Sequence, residues 1–263
     1  MRVLLVSDVY FPRVNGVSTS LGTFRAALRA CGIETILVAP EYPQAPPDTD
    51  PFIVRIRSSA VPGDPEDRRM QWRPLERTLD SLKTSRIDLV HVQTPFVAHY
   101  AGLRVARRLG VPCVATYHTH FAEYLHHYVR PLPRALGRPL ARWFTRSQCR
   151  ALDSLIVPSE PIAELLKSCG VETSIHVIPT GLPDECFRPG QASRFRHAYG
   201  IDAERALVLH VGRLAREKNV SFLIRMFTRV RREVPQALFV IAGDGPARTQ
   251  LQALAASLGL GAD

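Results

Sequence analysis

Lysine is almost missing from this 263-residue chain. Lys83, Lys167 and Lys218 are the only three, so arginine carries nearly all of a formal net charge of +10. Such a balance favours anionic partners: a nucleotide, a phospholipid surface or a nucleic acid. No recognised nucleic-acid motif accompanies the charge, which leaves the first two. Long apolar runs are also missing; none approaches the roughly 18–20 residues of a spanning helix. Cysteine is sparse and scattered, at Cys31, Cys113, Cys149, Cys169 and Cys186, with no C-x-x-C pair. That excludes a disulfide framework and a thiolate zinc site, and points to a reducing, cytoplasmic setting. Met1 leads straight into an apolar strand, so no signal peptide is expected. No G-x-G-x-x-G follows that strand, which argues against nicotinamide and flavin enzymes. Repeats and low-complexity tracts are absent. What is present is 46% hydrophobic residues, enough for a packed core rather than disorder.

Short apolar strands alternate with helical patterns. Strands are expected at 3–7, 35–39, 52–56, 89–93, 113–116, 154–158 and 175–179. Amphipathic helices lie between, one through Leu21, Phe24, Ala27 and Leu28, another through Trp72, Leu75, Leu79 and Leu82. This alternation is that of an α/β protein with a parallel, doubly wound sheet. Pro179, Gly181, Pro183 and Pro189 mark a linker, and a second series follows: strand 207–211, helix, strand 238–242, helix. The expected organisation is a Rossmann-like domain over 1–182, a linker over 183–190 and the start of a second domain over 191–263.

The second series opens with Gly212-Arg213-Leu214-Ala215-Arg216-Glu217-Lys218-Asn219 between a buried strand and a helix. Glycine permits the sharp turn, and a helix N-terminus presents unpaired N–H groups. Arg213 and Lys218 add two cations, which together suit a diphosphate. Read alone, the segment is either that cradle or a solvated loop with surface cations. His118 poses the same choice: a ligand-binding residue at a strand end, or a structural histidine capping the strand.

Four segments, in order, resemble family 4 glycosyltransferases of the GT-B fold. They are the strand 3–7 with Asp8-Val9-Tyr10-Phe11-Pro12-Arg13-Val14-Asn15-Gly16-Val17, then His91-Val92-Gln93-Thr94-Pro95-Phe96, then Thr116-Tyr117-His118-Thr119, then the Gly212–Asn219 octapeptide. The second is close to the family's H-x-H-T-P-F, with Gln93 at the second histidine. The first carries Asn15-Gly16 where many members have two glycines. The resemblance implies two Rossmann-like domains, the first on the acceptor side and the second binding a nucleotide-diphosphate sugar. It implies transfer of a hexose from a UDP- or GDP-linked donor to a lipid or glycan acceptor with retention, no metal and no cofactor beyond the sugar nucleotide. Gly16, Arg213 and Lys218 would meet the donor diphosphate, and His118 the donor sugar at the reacting centre. The family's E-x7-E motif would lie beyond Asp263. The second domain is therefore expected to be truncated, and the alternative is a non-catalytic remnant that binds acceptor or membrane without turnover.

Two further clusters stand out. His118, His120, Glu123, His126 and His127 have spacings that zinc accepts, yet no fourth ligand stands apart from them, and the resemblance accounts for His118 without metal. Residues 124–152 contain no Asp or Glu, while Arg130, Arg134, Arg138, Arg142, Arg146 and Arg150 recur every fourth residue. With Leu136, Leu140, Trp143 and Phe144 between them, they form either a basic surface for anionic headgroups or a solvated arginine face. Arg134, Arg138, Arg142 and Arg146 are the expected contacts, placing the protein peripherally on the inner membrane face. Pro131, Pro133 and Pro139 are expected to break this helix.

Overall fold

A computed structural model describes residues 1–260 apart from Gln44, 62–63 and 119–133. The chain divides into two compact units, Met1–Phe187 and Arg188–Asp263.

Among the described residues the first unit holds nine strands: β1 (Arg2–Val6), β2 (Glu34–Pro40), β3 (Ile53–Ile56), β4 (Ser58–Val61), β5 (Asp64–Met70), β6 (Leu89–Val92), β7 (Cys113–Thr116), β8 (Ser154–Val157) and β9 (Ser174–Val177). Seven of them form a sheet in the order β3-β2-β1-β6-β7-β8-β9, parallel throughout. Its helices are α1 (Gly16–Ala30), α2 (Trp72–Ser81), α3 (Val97–Leu109), α4 (Arg134–Cys149) and α5 (Glu160–Ser168).

Both faces of β1 are apolar, and its period of two divides them. Leu4 and Val6 join the cluster containing Leu75 and Leu79 of α2 and Ala98, Ala101 and Val105 of α3. Val3 and Leu5 join Leu21 of α1 on the other side. Burial on both faces is what makes the sheet doubly wound. Gly102 sets how closely α3 lies on the sheet, since a Cβ there would come within 2.5 Å of Val92 Cγ2.

The strand order runs outward from β1 in one direction and from β6 in the other. The C-terminal ends of β1 and β6 therefore diverge into a crevice, the place where open α/β sheets bind ligands.

Two features depart from the sequence expectations. The antiparallel pair β4–β5 was not expected, because Asp64-Pro65-Glu66-Asp67-Arg68-Arg69-Met70 has no apolar alternation. It is held by ladder bonds and by Arg68, which donates to Ser58 Oγ and Ser58 O at 3.1 Å each. The basic helix is not broken at Pro139: α4 runs through it from Arg134 to Cys149. Proline forfeits one N–H bond there, but Ala141, Thr145, Gln148 and Cys149 bury a continuous stripe. That packing outweighs the local penalty. Pro131 and Pro133 lie outside the described residues.

The second unit contains α6 (Ala192–Ala198), β10 (Leu207–Val211), α7 (Val220–Glu233), β11 (Leu238–Ala242) and α8 (Arg248–Ser257). β10 and β11 pair in parallel. Leu214, Val220, Ile224 and Leu251 form its core.

Candidate active site

The loops after β1 and β6 are locked to each other at the crevice. The Asp8 N–H donates to Thr94 Oγ1 at 2.7 Å, and the Thr94 hydroxyl donates back to Asp8 Oδ2 at 2.8 Å. The same carboxylate accepts from the Ala98 N–H at 3.1 Å and so caps the first turn of α3. An anion is favoured at that helix end. Burial nevertheless pushes Asp8 up to about 6, against the hydrogen bonds from Thr94 and from the backbone of Ala98, Phe96 and Val97.

A groove opens beside this lock. Asp8, Val9, Arg13, Asn15 and Val17 line it from the first loop, Thr94 to Val97 from the second, and Val61, Asp67, Arg68 and Arg69 from the hairpin. Arg13 bridges loop and hairpin by a 2.8 Å ion pair with Asp67. Gly16 begins α1 at the same end. Asn15 is the N-cap, its side chain accepting from Ser18 N at 2.8 Å. A Cβ on Gly16 would meet nothing within 4 Å, so the backbone there faces open space.

Deeper in the sheet a second, small cavity is lined by Gln93, His99, Thr116, Tyr117, His118, Thr145, Gln148 and Cys149. Thr94 and Pro95 line both spaces. His118 follows β7, and its Nε2 lies 3.0 Å from Gln93 Oε1 at the end of β6. One layer below, His91 Nε2 lies 2.8 Å from Thr116 Oγ1. Burial holds His118 and His99 down to about 4, and His91 to about 3, where a charge on His118 would oppose a second one. All three imidazoles are neutral at physiological pH.

These groups set the response to acid. His91, His99 and His118 have folded values below the ordinary 6.5, so the unfolded chain takes up protons first and stability falls as pH drops below 6.5. Asp8 has the opposite sign: its raised value adds stability as pH falls through 6 toward 4. Between pH 7 and pH 5.5 the three histidines are expected to remove about 3.5–4 kcal/mol and Asp8 to return less than about 1, a net loss of about 3 kcal/mol. Urea titrations at the two pH values check this, and the loss should shrink in His99→Gln.

In the second unit, the loop 212–219 and the Gly243-Asp244-Gly245-Pro246 loop lie backbone to backbone. Leu214 N donates to Asp244 O at 2.8 Å, and Ala247 N to Leu214 O at 2.9 Å. A Cβ on Gly243 would fall 1.9 Å from Gly212 O, so only glycine fits. Leu214 and Ala215 are buried anchors, while Lys218 is exposed on a 3-10 turn, Arg216–Lys218. Asn219 then takes the left-handed conformation, φ 47°, before α7. Arg213 faces Glu217 at 3.8 Å in a partly exposed pair.

Arg213 and Lys218 thus share one loop of the second unit, while Gly16 and His118 lie at the C-terminal end of the first unit's sheet. His120, Glu123, His126 and His127 lie outside the described residues, as do the side chains of Arg134 and Arg138. Arg142, Trp143 and Arg146 are exposed along α4 and Arg150 just past its end, with Trp143 at 65%, and Arg146 pairs with Glu172 at 3.4 Å. No helix among the described residues is long and apolar enough to cross a membrane. Sequence reasoning assigned nothing to Asp8, Thr94 or Gln93, although each stood inside a quoted motif. The signal available was a polar residue directly after an apolar strand.

Known families match both units. Residues 14–185 match the model of Glycosyltransferase Family 4, and residues 191–263 that of Glycosyl transferases group 1. The chain belongs to glycosyltransferase family 4. An alpha-monoglucosyldiacylglycerol synthase of Streptococcus pneumoniae is 31% identical over 265 residues, covering 98% of this chain and 59% of the relative. A GDP-mannose-dependent alpha-mannosyltransferase of Mycobacterium tuberculosis is 31% identical over 256 residues, covering 96% and 65%. Among solved structures, a sucrose-phosphate synthase of Thermosynechococcus elongatus superposes with a TM-score of 0.73 at 20% identity, over 99% of this chain and 68% of that one. The fold is GT-B. The family 4 chain described here spans about three fifths of the length of the curated relatives it matches.

Proposed function

We propose that the protein transfers a hexose from a UDP- or GDP-linked sugar to a lipid or glycan acceptor with retention of anomeric configuration. The first unit serves as the acceptor-side domain, and the second begins the domain that binds the sugar nucleotide. The observation carrying this reading is the loop 212–219. Its backbone is fixed by Leu214 and the facing glycine loop, while its two cations stay at or near the surface. A rigid cradle with adjustable charges suits a leaving diphosphate, whose negative charge grows during transfer. Arg213, Lys218 and the open backbone at Gly16 meet that charge, and no metal takes part. The leaving diphosphate takes the acceptor's proton, so the protein's task is to orient both substrates. His118, neutral at the strand end, hydrogen-bonds a sugar hydroxyl at the reacting centre.

The groove beside Asp8 combines Val9, Val17, Phe96 and Val97 with Arg13, Arg68 and Arg69. This mixture suits an acceptor that is apolar on one side and hydroxylated or anionic on the other. Saturation-transfer NMR with a panel of UDP- and GDP-sugars tests the donor class. Contact to the nucleotide in at least one member is expected, and none across the panel would overturn the reading.

Membrane association follows from the exposed Arg142, Trp143 and Arg146 on α4 and Arg150 just past its end. The protein should sediment with anionic vesicles and not with neutral ones. Binding should weaken between 0.1 M and 1 M salt, as the Debye length falls from about 10 Å to about 3 Å. Replacing Arg138, Arg142 and Arg146 by Gln should reduce it; equal sedimentation with both vesicle types would dismiss it.

A further inference from the structure

We infer that Gln93 is a positioning residue that fixes the tautomer of His118, keeping the proton on Nε2 and leaving Nδ1 as the ring's acceptor. The argument starts from hydrogen-bond chemistry. Gln93 Oε1 only accepts, so at 3.0 Å the His118 Nε2 must donate. A neutral imidazole carries a single N–H, so Nδ1 is then unprotonated.

The contrast with His91 sharpens the point. Its partner, Thr116 Oγ1, both donates and accepts, and so leaves the His91 tautomer open. His118, by contrast, faces a carbonyl oxygen, which only accepts. Gln93 is itself 3% exposed, and its backbone N–H is tied to Val6 O at 2.9 Å, so the amide sits on the rigid end of β6. Its Nε2 is buried without a hydrogen-bond partner among the described residues. The bond to His118 is therefore the hydrogen bond that couples the amide's orientation to the ring. Turning the amide over would place an N–H against Nε2 and drive the proton to Nδ1, so amide orientation and tautomer form one binary variable.

Gln93 stands where the family pattern has histidine. A histidine there titrates, whereas glutamine stays uncharged at every working pH. Among the described residues, the other titratable groups lining this space are His99, Tyr117 and Cys149, with His91 a layer below; none is a carboxylate. The consequence for catalysis rests on the sugar-side reading of His118: Nδ1 would accept a hydrogen bond from a substrate hydroxyl rather than donate one.

The test reads the ring directly and needs no turnover. Long-range 1H–15N spectra of the 263-residue protein at pH 7, with His118 assigned by its loss in His118→Asn, should show the Nε2–H tautomer. Gln93→Leu should convert that signal to a mixture or to Nδ1–H, with the amide spectrum confirming the fold. Gln93→Glu should keep Nε2–H and raise the His118 titration midpoint by about 1–3 pH units. An Nδ1–H ring in the unmodified protein, or an unchanged tautomer in folded Gln93→Leu, would overturn the inference. If Gln93→Leu does not fold, an unmoved midpoint in Gln93→Glu would do the same. A tautomer that shifts as expected supports the inference even if His118 proves dispensable for transfer, which separates this claim from the functional reading.

Discussion

Replacing Arg213 and Lys218 together by alanine is expected to weaken binding of the sugar nucleotide by about 3–6 kcal/mol, roughly two to four orders of magnitude. Each side chain supplies a charge-assisted contact worth about 1.5–3 kcal/mol to a phosphate oxygen, and each single variant should lose about that much. The pair between Arg213 and Glu217 does not prevent this. At 3.8 Å and partly exposed, it is worth less than about 1 kcal/mol and yields to a diphosphate. The fold should survive, because the loop is anchored by Leu214 and Ala215 and by backbone bonds to the Gly243–Pro246 loop. Calorimetry with the nucleoside diphosphate measures the loss. Arg225→Ala, an exposed cation on α7, controls for net charge. Unchanged affinity in both single variants and the double would refute the donor assignment.

His118→Ala should behave differently. Its proposed partner is the sugar at the reacting carbon, so its contribution appears in the transition state more than in the bound ground state. Turnover in a form of the protein that transfers sugar is expected to fall about 10²–10³-fold, while nucleotide affinity changes less than about threefold. Loss of affinity with turnover intact would place His118 at the diphosphate instead. The neutral state of the ring, held down to about 4 by burial, predicts that this contribution does not titrate between pH 6 and pH 8. A turnover step at the ordinary histidine value of 6.5 that vanishes in His118→Ala would count against it.

The sheet was legible because its strands are short and its central ones apolar on both faces, and each of the seven expected before the linker is present in the first unit. The hairpin β4–β5 was not, since its second strand is charged and is held by ladder bonds and by Arg68 rather than by an apolar stripe. Pro139 misled for a related reason: a local rule about helix breaking said nothing of the stripe from Ala141 to Cys149 that holds the helix. At the candidate site, motif positions indicated which loops gather at the strand ends. They did not indicate that Asp8, which caps α3, is bonded by Thr94, or that Gln93 faces His118. Those contacts join residues 86 and 25 positions apart and depend on strand order, which a linear pattern does not contain.

The most direct measurement follows the anomeric proton by NMR during a reaction of the protein with a UDP- or GDP-hexose and a diacylglycerol or glycan acceptor. The account predicts release of the nucleoside diphosphate together with a glycoside of retained configuration, and a His118→Ala protein that still binds the nucleotide but forms product at least about a hundredfold more slowly. A product of inverted configuration, or undiminished transfer without His118, would contradict it.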